Sequence, residues 1–342
     1  MPNNPFEKAS AADVARALGV STATISRAFT PGARISEKTR VRVLEKAREL
    51  GYQQNIIAKM LNTRKSRLIG LVTGQINQNP YYTDVVATLT LALHQKGYQM
   101  ILFSAQDVDD VSEQVLQAMQ YQVEAIVIVN GILNQKSLQS LSGSEKPIIV
   151  IAPLTVTIPS GSNIHFVSGD HQRTGRLAAE ILLARGYRKI SIVTGAENNP
   201  VTYYRYKGCQ KQLQHSGVVP NHIKAPEDSY DAGIQAAMEL CFTAPYPDAV
   251  ICTSDILAMG VMDGIRYRKK LSIPDDIGVI SMDGISPARY ESYDITTISS
   301  PVVDEVRCIV DIISGRSFPS KNSHLFLGEL IEGSTLILKE PK

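Results

Sequence analysis

The sequence has 342 residues, of which 44% are hydrophobic and 20% are charged, and this balance excludes a disordered chain and an integral membrane protein. A chain of this length is long for a single hydrophobic core, so we expect about two or three structural units. The net charge of +2 conceals an asymmetry, because residues 1–65 carry a net charge of +7 and the remainder −5, which is typical of a polyanion-binding module attached to a larger body.

Residues 10–29 predict a short helix, a glycine turn and a second short helix. Ser10 can cap the first helix, and Gly19 can adopt the left-handed conformation that ends it. Val14 and Leu18 lie four residues apart and therefore share one face of that helix. The pattern is typical of a helix-turn-helix, and an ordinary helical hairpin in an all-α domain is the alternative interpretation.

The second helix presents a small polar face to the outside. Ile25 and Ala28 are expected to turn inward, which leaves outside Thr22, Ala23, Ser26 and Arg27. About nine residues at about 1.5 Å each give a rod of about 13 Å, short enough for a major groove about 12 Å wide. Thr22 and Ala23, near the start of the rod, are therefore expected to meet base edges.

A basic third helix is predicted to begin after Ser36. Four apolar side chains recur at helical spacing and are expected to cover the first two helices: Val43, Leu44, Ala47 and Leu50. Hydroxyl groups near the helix starts are expected to contact the phosphates of DNA, and they belong to Ser21, Thr24, Ser26, Ser36 and Thr39. Arg27 and Arg34 are further expected contacts to bases or backbone.

Several segments of this region resemble the N-terminal signature of the LacI/GalR family of bacterial transcription regulators: Asp13-Val14-Ala15, Gly19-Val20-Ser21, Ala23-Thr24-Ile25-Ser26-Arg27 and Gly51-Tyr52. The following segment, from Asn55 through Ala58 to Leu61, is similar to the hinge of the family. The resemblance implies a hinge that becomes helical on operator DNA, with Asn55 and Ala58 among the DNA-contacting residues and Leu61 wedged into the minor groove. Gln54 stands where the family usually has a proline.

From Leu68 onward, short apolar runs alternate with amphipathic stretches. The runs are continuous rather than alternating, as in parallel strands that are covered on both faces. A second, similar set begins at residues 165–168, so we expect two lobes. The predicted fold class is an all-α helix-turn-helix head plus an α/β body of doubly wound parallel sheets, and the resemblance implies a two-lobed body like that of periplasmic binding proteins.

The expected domains follow from these changes of pattern. We expect a DNA-binding domain over residues 1–54, a hinge over 55–66, and an effector-binding and dimerisation domain over 67–342. Within the body, the first lobe is expected to cover about 67–164 and 297–326, and the second about 165–296 and 327–342.

Polar residues follow several predicted strands of the body, namely Gln75 to Asn79, Gln106, Asp107, Asp170, Asp255 and Asp283. Ligands of open parallel sheets bind beyond the carboxyl ends of the strands. Carboxylates and amides bind hydroxyl groups, so a sugar-like ligand is expected. Helix capping is the alternative role for Asp170 and Asp255.

Four segments of the body also resemble family motifs: Asn79-Pro80-Tyr81-Tyr82, Arg205-Tyr206-Lys207-Gly208, the run from Ser254 to Gly260, and Ser281-Met282-Asp283-Gly284. The resemblance implies that Arg205 and Asp283 line the effector cleft, with Tyr81 stacking on a ligand face. The expected effector-binding residues are Asn79, Tyr81, Gln106, Arg205, Asp255 and Asp283. Ala152-Pro153 stands where many members have an aspartate, so a sugar, a sugar acid and a sugar phosphate all remain open.

No catalytic or metal-binding constellation stands out in the sequence, and neither a cofactor nor a metal is expected. The four cysteines are scattered without C-x-x-C spacing, as expected of core residues in a reducing cytosol. No run approaches the ~18 apolar residues of a membrane span, so we expect a cytoplasmic, nucleoid-associated protein with no membrane partner.

The sequence predicts a sequence-specific transcription regulator, with a repressor favoured. A homodimer would bind a near-palindromic operator in double-stranded DNA, and a small effector between the lobes would control that affinity. The competing hypotheses are a cytoplasmic sugar-binding protein without a DNA role, an enzyme on the same kind of body, and an activator of the same family. The sign of the effector and the choice between dimer and tetramer remain open.

Overall fold

The computed structural model describes residues 9–30, 32–53, 66–74, 79–106, 110–242, 246–316 and 322–339. Contacts between residues divide the chain into two compact units, Met1–Ser66 and Arg67–Lys342. The expected hinge contacts Asn55, Ala58 and Leu61 lie outside the described residues, so their roles stay predictions.

The head contains three helices around one small core: α1 (Ala11–Leu18), α2 (Thr22–Ala28) and α3 (Glu37–Glu49). Ser10 and Asp13 form a reciprocal capping box at the start of α1, and Gly19 ends the helix with a φ of 66°. Val14, Ile25 and Val43 are fully buried between the helices, which confirms the predicted helix-turn-helix core.

Two residues of α3 differ from expectation. Leu44 and Leu50 are 37% and 40% exposed, whereas Val43 and Ala47 are buried. Leu44 is turned about 100° around the helix from Val43, and Leu50 is the residue that caps the end of α3. The small core of the head therefore buries Val43 and Ala47, at the centre of the apolar face of α3, but not Leu44 and Leu50 at its edges.

The body has two lobes. The described elements of the first lobe are β1 (Leu68–Thr73), α4 (Pro80–Gln95), β2 (Gln99–Ser104), α5 (Ser112–Gln120), β3 (Ala125–Val129), α6 (Gln135–Leu141), β4 (Ile148–Ile151) and β5 (Ile164–Gly169). Those of the second lobe begin with α7 (His171–Ala184), β6 (Ile190–Thr194), α8 (Pro200–His215), β7 (Asn221–Lys224), α9 (Tyr230–Leu240), β8 (Ala249–Cys252) and α10 (Asp255–Asp263). A π-helical turn (Gly264–Arg268), β9 (Gly278–Asp283), a 3-10 turn (Ser286–Arg289) and β10 (Thr296–Ser299) complete that set.

The last elements divide between the lobes: α11 (Val302–Ile313), β11 (Ser323–Phe326) and β12 (Leu330–Ile331). The first sheet has the order β11-β5-β4-β3-β1-β2 and all its described pairs are parallel. The second has the order β12-β10-β9-β8-β6-β7, with β12 antiparallel to β10. Separate apolar clusters cover the two faces of each sheet, which confirms the doubly wound α/β body.

The strand pairing corrects the expected lobe bounds at two places. The strand β5 pairs with β4 and with β11, so it belongs to the first lobe rather than the second. The strand β10 pairs with β9 and therefore belongs to the second lobe, while α11 packs on the core of the first. Chain order does not reveal these memberships, because the chain crosses between the lobes after β5, after β10 and after β11.

Candidate nucleic-acid interface and effector cleft

The exposed face of α2 is the candidate DNA-reading surface. Ile25 and Ala28 point into the core at 0% and 2% exposure. The expected outward residues are all exposed, namely Thr22, Ala23, Ser26 and Arg27. This arrangement leaves short side chains at the start of the helix and one cation at its end, as base-edge readout requires.

Hydroxyl caps begin both α2 and α3. The Ser21 hydroxyl accepts from the backbone N–H of Thr24 at 3.2 Å, and the Ser36 hydroxyl accepts from that of Thr39 at 3.2 Å. The two hydroxyls of each pair also lie within hydrogen-bond distance, at 3.0 Å and 2.7 Å. A single side-chain cap satisfies only part of a first helical turn, so the remaining N–H groups are available for phosphate.

Arg34 is exposed beside the start of α3, as a phosphate or base contact requires. Arg40, by contrast, is directed into the head. Its guanidinium donates to the carbonyl oxygens of Ala28 at 2.7 Å, Thr30 at 3.2 Å and Ala33 at 3.2 Å. Arg40 therefore fastens the loop after α2 to α3, a role that the basic composition of this helix did not reveal.

A cavity of about 320 Å³ lies between the two lobes of the body. The first lobe contributes residues of the α4 start and of the β3, β4 and β5 ends, including Asn79, Tyr81, Tyr82, Asn130, Pro153 and Ser168. The second contributes residues around the β6, β7, β8 and β9 ends, including Asn199, Thr202, Arg205, Asp228, Ser254 and Asp283. The cavity thus has the expected position beyond the carboxyl ends of parallel strands.

A buried ion pair between Arg205 and Asp283 lines the cavity on the side of the second lobe. One terminal nitrogen of Arg205 donates to Asp283 Oδ1 at 2.7 Å and to the carbonyl oxygen of Thr253 at 2.6 Å. The two side chains are about 95% buried. Burial acts to lower the pKa of Arg205, but the Asp283 carboxylate, with Tyr81 and Asp228, outweighs it, so the net pKa is raised and the guanidinium stays charged.

Two contacts complete this pair. Asn79 of the first lobe donates through Nδ2 to Asp283 Oδ2 at 3.3 Å, so the carboxylate links the lobes. The Nε atom of Arg205 is buried and has no hydrogen-bond partner among the described residues. A bound hydroxyl group that reached this N–H would satisfy it.

The local sequence explains why Arg205 reaches the cavity. Asn199 caps α8 by accepting from Val201 N, and Pro200 occupies its first turn. A Cβ at Gly208 would overlap the backbone carbonyl of Gln172 on α7, so glycine allows the two helices to pack backbone against backbone. The resulting contact fixes the first turns of α8 at the cleft.

Asp283 ends β9 in an unusual conformation. Its φ is 141°, a region that L-residues other than glycine seldom adopt. The strand pairing with β10 and a hydrogen bond from the Ser300 N–H to the Asp283 carbonyl at 2.7 Å hold the backbone there. Strain of this kind, about 1–3 kcal/mol, is typical of binding sites.

Tyr81 lies on the first-lobe side and is held from two directions. Its backbone N–H donates to Asn79 Oδ1 at 2.9 Å, and its hydroxyl donates to Glu305 Oε2 at 3.2 Å. Glu305 is only 2% exposed, and this burial raises its pKa to about 7. Tyr82 packs edge-to-face on Tyr81 with ring centroids 5.3 Å apart, which leaves an aromatic wall on the cavity.

Two expected effector contacts do not line the cavity. Asp255 is completely buried and accepts hydrogen bonds from the Ser281 hydroxyl, the Thr297 hydroxyl and the Ile285 N–H. Burial raises its pKa to about 6. Asp255 thus supports β9 and β10 from beneath, and we revise its role to a structural one. Gln106 is exposed and is not among the lining residues.

The neighbouring strand end at β5 combines capping and lining roles. Asp170 accepts from the Arg173 N–H at 3.0 Å, so the alternative role of helix cap is the observed one. His171 lines the cavity and its Nε2 lies 3.1 Å from the Ser168 hydroxyl. Burial, followed by the charge of Arg205, lowers the pKa of His171 well below its ordinary value, so the imidazole is neutral at neutral pH.

Sequence reasoning missed Asp228, Asn199 and Thr202, although all three line the cavity. Asp228 follows β7, which the sequence analysis did not identify as a strand. The strand β7 lacks the continuous apolar run by which a buried strand is recognised, since only Ile223 of that strand is buried. Had β7 been recognised, the rule that ligands bind at strand ends would have identified Asp228.

Other site classes find no support in the described part of the chain. Within it, no group of three or more His, Cys, Asp and Glu side chains is placed to hold a metal ion. The cysteines Cys209, Cys241, Cys252 and Cys308 are all free and buried. None of the described helices has the length and apolar character needed to cross a bilayer.

Comparison with known families matches both units of the chain. Residues 11–55 match the family described as bacterial regulatory proteins, lacI family. Residues 66–304, more than half of the chain, match the periplasmic binding proteins and sugar binding domain of the LacI family.

Individual proteins agree with this assignment. Catabolite control protein A of Priestia megaterium is 27% identical over 85% of this chain and 87% of its own length. The ribose operon repressor of Haemophilus influenzae is 26% identical over 96% and 97%. A crystal structure of the lac repressor dimer bound to operator and the anti-inducer ONPF has a TM-score of 0.83 at 22% identity, covering 97% of this chain and 100% of that chain. The chain therefore belongs to the LacI family of bacterial regulatory proteins.

Proposed function

We propose that this protein is a cytoplasmic, homodimeric transcription repressor that binds a near-palindromic operator and is controlled by a sugar-like effector in the cleft between its lobes. It acts by binding, without a catalytic step. One observation carries the proposal: the same chain contains a helix-turn-helix head and a two-lobed body. The head has an exposed polar face on α2, and the body has a polar cleft.

In the head, Thr22 and Ala23 read base edges, and Arg27 and Arg34 supply further contacts. Hydroxyl groups hold the head on the phosphates, and they belong to Ser21, Thr24, Ser26, Ser36 and Thr39. A twofold dimer places two such heads on two half-sites, which is why the operator is near-palindromic. In the hinge, Asn55 and Ala58 add DNA contacts, and Leu61 wedges into the minor groove.

In the body, Asn79, Tyr81, Arg205 and Asp283 bind the effector. Arg205 and Asn79 offer N–H donors, Asp283 offers acceptor oxygens and Tyr81 offers a ring face. The cavity has walls from both lobes, so an effector that contacts both favours one separation of the lobes. The change in operator affinity can be no larger than the effector's differential affinity for the two states of the protein.

Selection of bound sequences from random duplex DNA tests the proposal. The full-length protein is incubated with the library alone and with each member of a panel of sugars, sugar acids and sugar phosphates. We expect a near-palindromic sequence to be enriched, with the enrichment changed by one effector. Folded protein that enriches no sequence under any condition would contradict the regulatory function, whereas enrichment that no panel member changes would contradict only the sugar-like effector.

A further inference from the structure

The cavity between the lobes has an unbalanced set of charges. Its lining contains three carboxylates, those of Glu227, Asp228 and Asp283, but Arg205 is its only lysine or arginine within the described part of the chain. Asp283 already neutralises Arg205 at 2.7 Å.

Neither Glu227 nor Asp228 forms an ion pair with a described cation, and Asp228 is the less exposed of the two. Its Oδ1 accepts from the Ser254 hydroxyl at 3.1 Å and its Oδ2 from the Thr202 hydroxyl at 3.4 Å. An ionised carboxylate offers about four lone-pair sites, so these two neutral donors leave capacity for hydroxyl groups in the cavity. Burial, with Asp283 adding to it, raises the pKa of Asp228.

The surrounding backbone is shaped to accept this side chain. Gly195 follows β6, and a Cβ at that position would overlap the carboxyl group of Asp228. Glycine therefore leaves the space in which the carboxylate lies against the cavity. Thr202 is 5% exposed and Ser254 is 3% exposed, so both donors that orient Asp228 are themselves fixed by packing.

We infer that Asp228 is a ligand-binding and specificity-determining residue, and that the cleft takes an uncharged polyhydroxylated ligand rather than a sugar acid or a sugar phosphate. This inference rests on the proposed function of the cleft. Asp228 accepts ligand hydroxyls on the second-lobe side of the cavity. Asp228 also replaces, from the opposite lobe, the carboxylate that Ala152-Pro153 does not provide.

The charge balance excludes the anionic alternatives. A carboxylate or phosphate group on the ligand would share a partly desolvated cavity with Asp228 and Asp283, and like charges repel strongly where water is scarce. Neutral His171 cannot compensate, and the Arg205 charge is already paired. An uncharged ligand avoids this repulsion and still uses every acceptor.

Calorimetric titration of the full-length protein tests this inference. The probes are neutral mono- and disaccharides, together with the phosphorylated and carboxylated derivatives of each. We expect a neutral sugar to bind at least about tenfold more tightly than its own phosphate or acid. The variant Asp228→Asn is expected to weaken binding of the neutral sugar about tenfold or more, because the side chain loses its charge and one of its two acceptor oxygens. In the same variant, the affinities for the neutral sugar and for its anionic derivative are expected to differ less than in the wild type.

The control is Asp231→Asn, which removes an exposed carboxylate three residues further along the chain and outside the cavity. It is expected to leave every affinity unchanged. Tighter binding of a sugar phosphate or sugar acid than of its neutral parent would overturn the inference, as would unchanged neutral-sugar affinity in Asp228→Asn or no binding by any probe. Operator binding, measured on the same preparations, shows separately whether the regulatory function holds.

Discussion

The Arg205–Asp283 pair shows how much depends on single side chains in the cleft. Both partners are nearly completely buried, so removing one leaves an uncompensated charge away from water. Asn has nearly the same size and shape as Asp, so Asp283→Asn isolates the effect of the charge. We expect this variant to lower the free energy of unfolding of the body by about 3 kcal/mol, measured by urea denaturation.

The matched control for this prediction removes both charges. The double variant Arg205→Gln, Asp283→Asn has no buried unpaired ion, so it is expected to be more stable than the single variant. Equal or additive losses in the two variants would show that the ion pair is not what stabilises the site.

The raised pKa of Glu305 predicts that the free energy of unfolding of the body depends on pH. Its pKa is about 7 in the folded body and near 4.5 in an unfolded chain, because burial disfavours the carboxylate. The folded state therefore binds the proton more tightly, and the resulting stabilisation is complete below about pH 4.5 and is lost as the pH rises through 7. At about 1.4 kcal/mol for each pKa unit, the loss is of the order of 3 kcal/mol.

The variant Glu305→Gln tests that sign, since glutamine mimics the protonated acid and still accepts from Tyr81. We expect wild type and variant to be similarly stable at pH 5 and the variant to be more stable at pH 8, by thermal or urea unfolding. Asp304→Asn, at the partly exposed neighbouring position, serves as control and is expected to show no such divergence. Parallel curves for wild type and Glu305→Gln would contradict the prediction.

At the scale of elements, the loop after α2 depends on α3 through Arg40. Its guanidinium reaches three backbone carbonyls, a geometry that the single ammonium group of lysine cannot reproduce. Arg40→Lys is expected to speed amide hydrogen exchange at residues 28–30, 32 and 33 about tenfold, while Arg42→Lys on the exposed side of α3 leaves it unchanged. Equal exchange in both variants would mean that the loop is held by other contacts.

The recognition role of α2 is tested by a charge-matched pair of variants. Arg27→Ala is expected to weaken operator binding by about tenfold or more, because Arg27 ends the exposed face of the helix. Arg48→Ala removes the same charge from an exposed position on α3 and is expected to have a much smaller effect. Similar losses in a binding titration would indicate a general electrostatic contribution rather than a contact made by α2.

The elements also show where sequence reasoning succeeds. Local signals such as the Ser10 cap, the Gly19 turn and the inward Ile25 depend on neighbouring residues and were predicted correctly. The lobe membership of β5 and β10 depends on strand pairing between distant segments, which periodicity does not encode. Asp255 shows the same limit, because a carboxylate at a strand end can point into the cleft or, as here, beneath it.

At the scale of the whole molecule, the head and body are separate compact units, and the described residues that line the cleft all belong to the body. Differential scanning calorimetry is therefore expected to show two unfolding transitions. The neutral sugar selected by titration, at about 100 times its Kd, is expected to stabilise the body by about 2.7 kcal/mol and leave the head transition unmoved. Equal shifts of both transitions would show that ligand binding also stabilises the head.

The three crossings between the lobes have a consequence for synthesis on the ribosome. The edge of the first sheet is completed by β11, and Leu336 is buried in the core of the second lobe, so each lobe needs residues that are translated after nearly all of the other. Until then β5 presents an unpaired edge, a site at which nascent chains associate wrongly. Neither lobe can therefore complete its fold until the segment that begins at residue 323 has been translated, and a chain that stops before it lacks a part of both ligand-binding lobes.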